Sequence, residues 1–308
     1  MRRTKEFDEF GPWVDEVTAA EDVPSLYRDH RLDLASAQLV LKVPRRISRR
    51  DANPDMDLYD HLVVAGPQAL TVLSRRSSTP GYDVSEVPYS RVASLSTSVE
   101  LLDGRLTVHD VEAATPGRAA VAFRYNSVSQ DAIERLMRIV RRSAQPGGEP
   151  AVVDGGSYLD LDLQDLGPHD VALVTAQREV VTHDPQLAVV AVHPRTGVPR
   201  RTGTARGLLD VLRPATLHAA VVMVGPDELH VLHRRRWLTT GRRPVHSVAQ
   251  TVVLVPRVTE TVVREDERWS EVQVIQVTSG RSAREIPVPQ GSASGEAITR
   301  VLGANAAG

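Results

Sequence analysis

The chain has 308 residues and a formal net charge of −2: the length suits two cores of about 150 residues each, and the charge excludes coating of nucleic acid by bulk electrostatics. Cysteine is absent, which excludes disulfides, thiolate chemistry and Cys-based zinc sites and fits a reducing cytoplasm. The opening MRRTKEFDEFGPWVDEV lacks the apolar stretch of a signal peptide, no later apolar run approaches a membrane span, and aromatics at 4% leave few stacking platforms for single-stranded nucleic acid.

Residues 1–35 form an N-terminal segment that sets Phe7, Phe10, Trp13 and Val14 amid acidic residues. These aromatics are expected to pack on the adjoining domain, the alternative being an amphipathic element that docks on a partner. Apolar alternation then predicts strands near 37–43, 60–65, 69–75, 87–101, 104–111 and 119–125, with Asp103-Gly104 turning the hairpin between the fourth and fifth. In SQDAIERLMRIVRR (129–142), Ile133, Leu136, Met137 and Val140 share one helical face behind an N-cap at Ser129. The Pro/Gly-rich stretch 144–156 reads as a linker between a first domain, 36–143, and a second, 157–308.

In the second domain strands are predicted near 170–175, 187–193, 218–224, 228–234, 246–255, 258–264, 270–278 and 283–287. The long loop 194–217 is expected to hold a short helix at RGLLDVL (206–212). A closing helix in SASGEAITRVLG places Ile298, Val301 and Leu302 on one face after Ser292 and Ser294, with Gly303 as its stop.

The two halves repeat each other. VAGPQALTVLSRR (64–76) returns 159 positions later as MVGPDELHVLHRR (223–235), with seven of thirteen residues identical. VLKVPRRISRR (40–50) resembles VVAVHPRTGVPRR (189–201), and EVPYSRVASLSTSVEL (86–101) matches GRRPVHSVAQTVVLV (241–255), each a Pro followed by an alternating strand. The segment VPYSRVASLSTSVELLDGRLTV, followed by AFRYNSVSQDAIERLMRIVRR, resembles the late strands and closing helix of bacterial pleckstrin-homology-like domains, and the second half is similar more weakly. The fold expected is α+β or mainly β: two tandem pleckstrin-homology-like small antiparallel barrels, each closed by a C-terminal helix.

Arginine clusters are the candidates for binding an anion or a partner, because the guanidinium fork matches phosphate and carboxylate. They comprise Arg45, Arg46, Arg49 and Arg50 in one loop, Arg75 and Arg76 after the first repeated hairpin, and Arg234, Arg235 and Arg236 after the second, followed by Trp237. Further arginines stand at 195, 200, 201, 242 and 243. The lipid-binding members of the resembled family carry a lysine followed by a spaced basic pair; here only Lys42 is on offer, and Arg45-Arg46 do not complete the spacing. The competing reading is a solvated face balanced by Asp51, Asp55, Asp57 and Asp60.

Asp160, Asp162, Asp165 and Asp170 raise a calcium question, but Leu159, Leu161 and Leu163 between them mark a half-buried strand instead of a tight ligand loop. No Walker A loop, G-x-G-x-x-G or G-x-S-x-G elbow is present. The expectation is a cytoplasmic, non-enzymatic adaptor that binds a protein partner, with no metal, cofactor or nucleic acid. The alternatives are peripheral attachment to anionic membrane or a phosphorylated ligand through the arginine loops, and a hydrolase-type enzyme with an unrecognised site.

Overall fold

The computed structural model describes residues 4–145, 159–201, 215–241 and 245–303. Helix α1 (Lys5–Glu9) and β1 (Asp15–Glu16) precede β2 (Leu39–Pro44), β3 (Tyr59–Ala65), β4 (Ala69–Arg75) and β5 (Tyr82–Pro88). A 3-10 turn at Tyr89–Arg91 leads to β6 (Val92–Glu100), β7 (Asp103–Asp110), β8 (Val121–Asn126) and α2 (Gln130–Ala144). There follow α3 (Val171–His183), β9 (Ala188–His193), β10 (Thr196–Val198), β11 (Ala215–Leu217), β12 (Ala220–Gly225), β13 (Glu228–His233), β14 (Leu238–Thr240) and β15 (Ser247–Leu254). A second 3-10 turn, Val255–Arg257, leads to β16 (Glu260–Glu265), β17 (Val272–Ser279), β18 (Ser282–Pro289) and α4 (Ala293–Gly303). The protein is mainly β, in several antiparallel sheets.

Contacts divide the chain into two units that do not follow its linear halves. The first holds Met1–Val92, Leu101–Val108 and Ala119–Pro146; the second holds Gly147–Gly308 together with Ala93–Glu100 and His109–Arg118. The reason is hydrogen bonding: β6 runs antiparallel along β15, from Ser94 opposite Val253 to Glu100 opposite Ser247. A boundary drawn at 144–156 cannot see such a pairing, and residues 146–156 of that stretch lie outside those described.

In the first unit the sheet runs β1-β2-β3-β4-β5, and β2 is buried along its whole length because both its faces are covered. One face packs Val40, Leu62 and Leu73 against Phe10, Val17, Val23 and Tyr27 of the N-terminal segment. Tyr27 has no exposed surface and donates its hydroxyl to the Tyr59 carbonyl at 3.2 Å. Burying a side chain of this size contributes about 1.5–3 kcal/mol, which fastens the segment to the sheet. Phe10 is thus packed on the unit as expected, whereas Trp13 remains 48% exposed. Helix α2 lies against β3 and the Tyr89–Arg91 turn, burying Ile133, Leu136, Met137 and Val140.

In the second unit β6, β15, β13, β12 and β9 pair in that order. Every residue of β12 and β13 is buried, and the two-residue period of a strand explains how. Val222, Val224, Leu229 and Val231 meet β17, β18 and α4 through Ile275, Ile286, Ile298 and Leu302. Val221, Met223 and Leu232 point the other way, onto Leu173 and Val174 of α3. The separate meander β16-β17-β18 completes the first of these cores.

Several sequence expectations need correction. No closed barrel forms among the described residues: the sheet of the first unit ends openly in β1 and β5. The strand predicted at 170–175 is the start of α3; its Val-rich sequence favours a strand locally, but Leu173 and Val174 cover the sheet as a helix face. The half-buried strand expected from Leu159, Leu161 and Leu163 is instead irregular chain, with only Leu161 buried.

The hairpin turn before β7 falls at Leu101-Leu102, where Leu101 takes a φ of 54°; Asp103 and Gly104 already belong to the strand. Gly104 faces Tyr125, whose ring would lie 2.3 Å from a Cβ at that position, so the aromatic covers the space the glycine leaves. The single strand expected at 87–101 is broken by the Tyr89–Arg91 turn. This also shifts the third sequence similarity: Pro88 pairs with Ala69 as Leu254 pairs with Glu228, so EVPYSRV corresponds to VVLVPRV (252–258). Ser129 does not cap α2 with its side chain; its Oγ accepts from the Val14 N–H at 2.8 Å. The helix expected at RGLLDVL lies outside the described residues.

Candidate functional site

The arginines of the first unit sit at strand ends and in the β2–β3 loop, and carboxylates meet most of them. Arg75 places Nε and Nη2 each 2.9 Å from Asp60 Oδ1, while Arg45 donates to the Asp57 carbonyl at 3.0 Å. Arg46 and Arg124 share Asp103, each at 2.7 Å, and Arg76 reaches Asp83 at 2.6 Å. Arg49 donates to the carbonyls of Phe10 and Asp8 and lies over the Phe7 ring at 5.3 Å, so it clips the N-terminal segment in place. Arg50 is exposed on the same 3-10 turn. Lys42 is buried and turned inward, 3.8 Å from Glu9 and 5.3 Å from the Tyr59 ring centre.

In the second unit the three consecutive arginines after β13 have three different environments. Arg234 is 2% exposed and surrounded: Nη1 donates to the Ser247 carbonyl and Nη2 to the His169 carbonyl, each at 2.7 Å, and Nε to Asp170 Oδ1 at 2.9 Å. Arg235 donates to Ser98 Oγ at 3.0 Å and to Glu100 at 3.3 Å, binding β6 to the sheet it joins. Arg236 alone of the three is exposed. Trp237 is stacked on His233, centroids 3.7 Å apart and planes 10° from parallel, and packs on the core, so its ring is not presented as a membrane wedge.

Burial governs the histidines of this unit. Desolvation disfavours the imidazolium and pushes His233 down to about 3; His193 and His109 fall to about 4, the latter with help from Arg284. His218 also falls to about 4, by burial first and then the Arg195 guanidinium. Each is held neutral in a hydrogen-bonded place: His233 bonds Thr251 Oγ1 at 2.9 Å, and His218 bonds Thr239 Oγ1 at 2.8 Å. His230 meets Glu228 at 2.9 Å on one side and Gln250 at 3.0 Å on the other.

Asp160, Asp162 and Asp165 are exposed, whereas Asp170 is fully buried on Arg234, so the four do not converge. No group of three or more metal-ligating side chains occurs among the described residues. Nor is any described helix long and apolar enough to cross a membrane.

Among the described residues of the second unit lies an open groove of about 640 Å³ between β14, the β16–β17 connection and β18. Arg236, Arg264 and Arg268 line it together with Asp266, Glu267, Glu285 and Trp269. Arg264 bonds Glu285 at 2.6 Å, and Asp266 Oδ1 accepts from the N–H groups of Arg268 and Trp269, which fixes the turn that carries them. Trp269 is held from below by Val198, Leu217 and Val272. Sequence reading singled out Arg236 and missed the rest, although REDERW (264–269) sets three acidic residues between two arginines directly before an aromatic. Arg242 and Arg243 lie outside the described residues.

No protein-family model, curated protein or solved structure matches the chain.

Proposed function

We propose that the protein is a cytoplasmic, non-catalytic adaptor on a duplicated pleckstrin-homology-like plan, taking a segment of a protein partner in the groove around Arg236 and Trp269. The plan is supported by an element order that recurs apart from the short inserted β14: a Gly-Pro hairpin, a strand paired back on it, a 3-10 turn ending in arginine, three strands and a helix. The observation that carries the binding reading is the groove's lining, in which three arginines stand with three carboxylates beside an indole. Such a lining complements a polypeptide of mixed charge with an apolar anchor, and its carboxylates oppose a uniformly anionic surface.

The alternative site, the arginine loops, is less suited to lipid phosphate. Arg45, Arg46, Arg75 and Arg76 are already engaged with carboxylates or carbonyls, and Arg234 is buried. Flotation of the protein with neutral and anionic vesicles at low and physiological salt tests the choice. No flotation in either is expected; salt-sensitive flotation on anionic vesicles, lost in Arg49→Ala/Arg50→Ala, would replace the adaptor by a membrane-surface protein.

A further inference from the structure

The junction between β6 and β15 has a counterpart in this fold that no described strand fills. Tyr89–Arg91 and Val255–Arg257 are both 3-10 turns, and the valines that follow them, Val92 (φ −64°, ψ 119°) and Val258 (φ −72°, ψ 124°), leave them with nearly the same backbone. The strands before these turns also pair alike, Pro88 with Ala69 and Leu254 with Glu228. So β15 corresponds to β5 and β16 to β6, at the spacing of 166 residues that separates Val255 from Tyr89. Within the chain β6 occupies the edge of β15. The corresponding edges, one on β5 and one on β16, each end a sheet with no further strand among the described residues.

Carrying the β6–β15 register across by the repeat spacing sets Val84 opposite Val263, Asp83 opposite Arg264 and Ser85 opposite Val262. The transposition uses no side-chain information, yet it brings together a carboxylate with a guanidinium and a valine with a valine. Val84 is 49% exposed and Val263 46%, apolar surface left uncovered on two strands whose backbone groups lack ladder partners along one side. Opposite charges and β-branched pairs at facing positions are what stabilise an antiparallel ladder.

We propose that β16 of one copy adds to β5 of a second copy, repeating between molecules the junction that β6 and β15 make within one. The two edges differ, so the contact is head-to-tail; a joined pair keeps one free β5 on one copy and one free β16 on the other, and assembly continues past the dimer, open-ended unless a ring of three or more copies closes. This inference goes beyond the adaptor reading; it shares Arg264 with the groove, but Val84 and Val263 do not line it, so variants at the valines let either reading fail without the other.

Sedimentation velocity on the purified full chain, from micromolar to near-millimolar concentration, tests it. The weight-average mass is expected to rise past that of a dimer. Val84→Lys and Val263→Lys should each weaken association at least tenfold with unchanged circular dichroism, and an equimolar mixture of the two should yield dimers and nothing larger, because each supplies one intact edge. Asp83→Arg and Arg264→Asp should each weaken assembly and together restore it. A wild type that stays monomeric throughout, a mass that saturates at a dimer, or a mixture of blocked variants that fails to pair would overturn the proposal.

Discussion

Arg234 and Asp170 form an ion pair sealed from solvent, with Nη2 2.8 Å from Oδ1 and the carboxylate side chain fully buried at the start of α3. The remaining donors of the guanidinium reach the Ser247 and His169 carbonyls, and Arg195 Nε stands 3.4 Å from the other carboxylate oxygen. The pair therefore joins α3 to the ends of β13 and β15. Removing Arg234 leaves the buried Asp170 carboxylate with only the Arg195 contact at 3.4 Å, which costs about 3–5 kcal/mol. Arg234→Ala is expected to lower the stability measured by urea unfolding by that amount, and a change below about 1 kcal/mol would contradict the geometry. The same arithmetic means that a binding test should leave Arg234 in place and change the exposed Arg236 instead.

Acid should destabilise the second unit in a defined window. His109, His193, His218 and His233 all have folded values near 3 to 4, below the unfolded value of about 6.5, so between those limits the unfolded chain takes up protons that the folded one refuses. Stability is therefore complete above about pH 6.5 and falls as pH drops towards 4, by about 1.4 kcal/mol per pH unit for each histidine that protonates only on unfolding. Urea titrations at pH 7.5, 6 and 5 should show the loss, and His233→Gln should reduce its slope. An unchanged midpoint across that range would contradict the burial of these rings.

How much of this was legible follows from where the determinants lie. The Gly-Pro hairpins, the alternation of Val221 to Val224 and the helix faces of Ile133 to Val140 and Ile298 to Leu302 are local patterns, and the structure places them where the sequence indicates. What was not legible depends on partners distant in sequence. Val171 to Val174 reads as a strand until the sheet it must cover is known, and nothing local to Ser94–Glu100 reveals that β15 is its neighbour. Arg234, Arg235 and Arg236 look equivalent in sequence; one is buried, one bonds across strands and one is exposed, because alternate positions leaving β13 face different surroundings. The groove draws its lining from segments some fifty residues apart, from Arg236 to Glu285, so only the REDERW run gave a local hint.

The β6–β7 turn carries a correctable strain. Leu101 is 72% exposed and sits at a φ of 54°, a region that costs a leucine roughly 1–2 kcal/mol and a glycine almost nothing. Leu101→Gly is expected to raise the melting temperature. Gly104→Ala should lower it, because the added methyl would meet the Tyr125 ring at 2.3 Å. The opposite pair of signs would show that the turn has been placed wrongly.

The adaptor account is tested most directly by photo-crosslinking in the cells that make the protein. A photoreactive phenylalanine analogue placed at Thr240, exposed in the groove, should trap a discrete polypeptide; the same analogue at Ala122, exposed on β8, should not. Changing Arg236 and Arg268 to Glu should abolish the adduct while leaving the protein folded. An adduct equally strong from both positions, or one that survives the double change, would contradict a partner held in this groove.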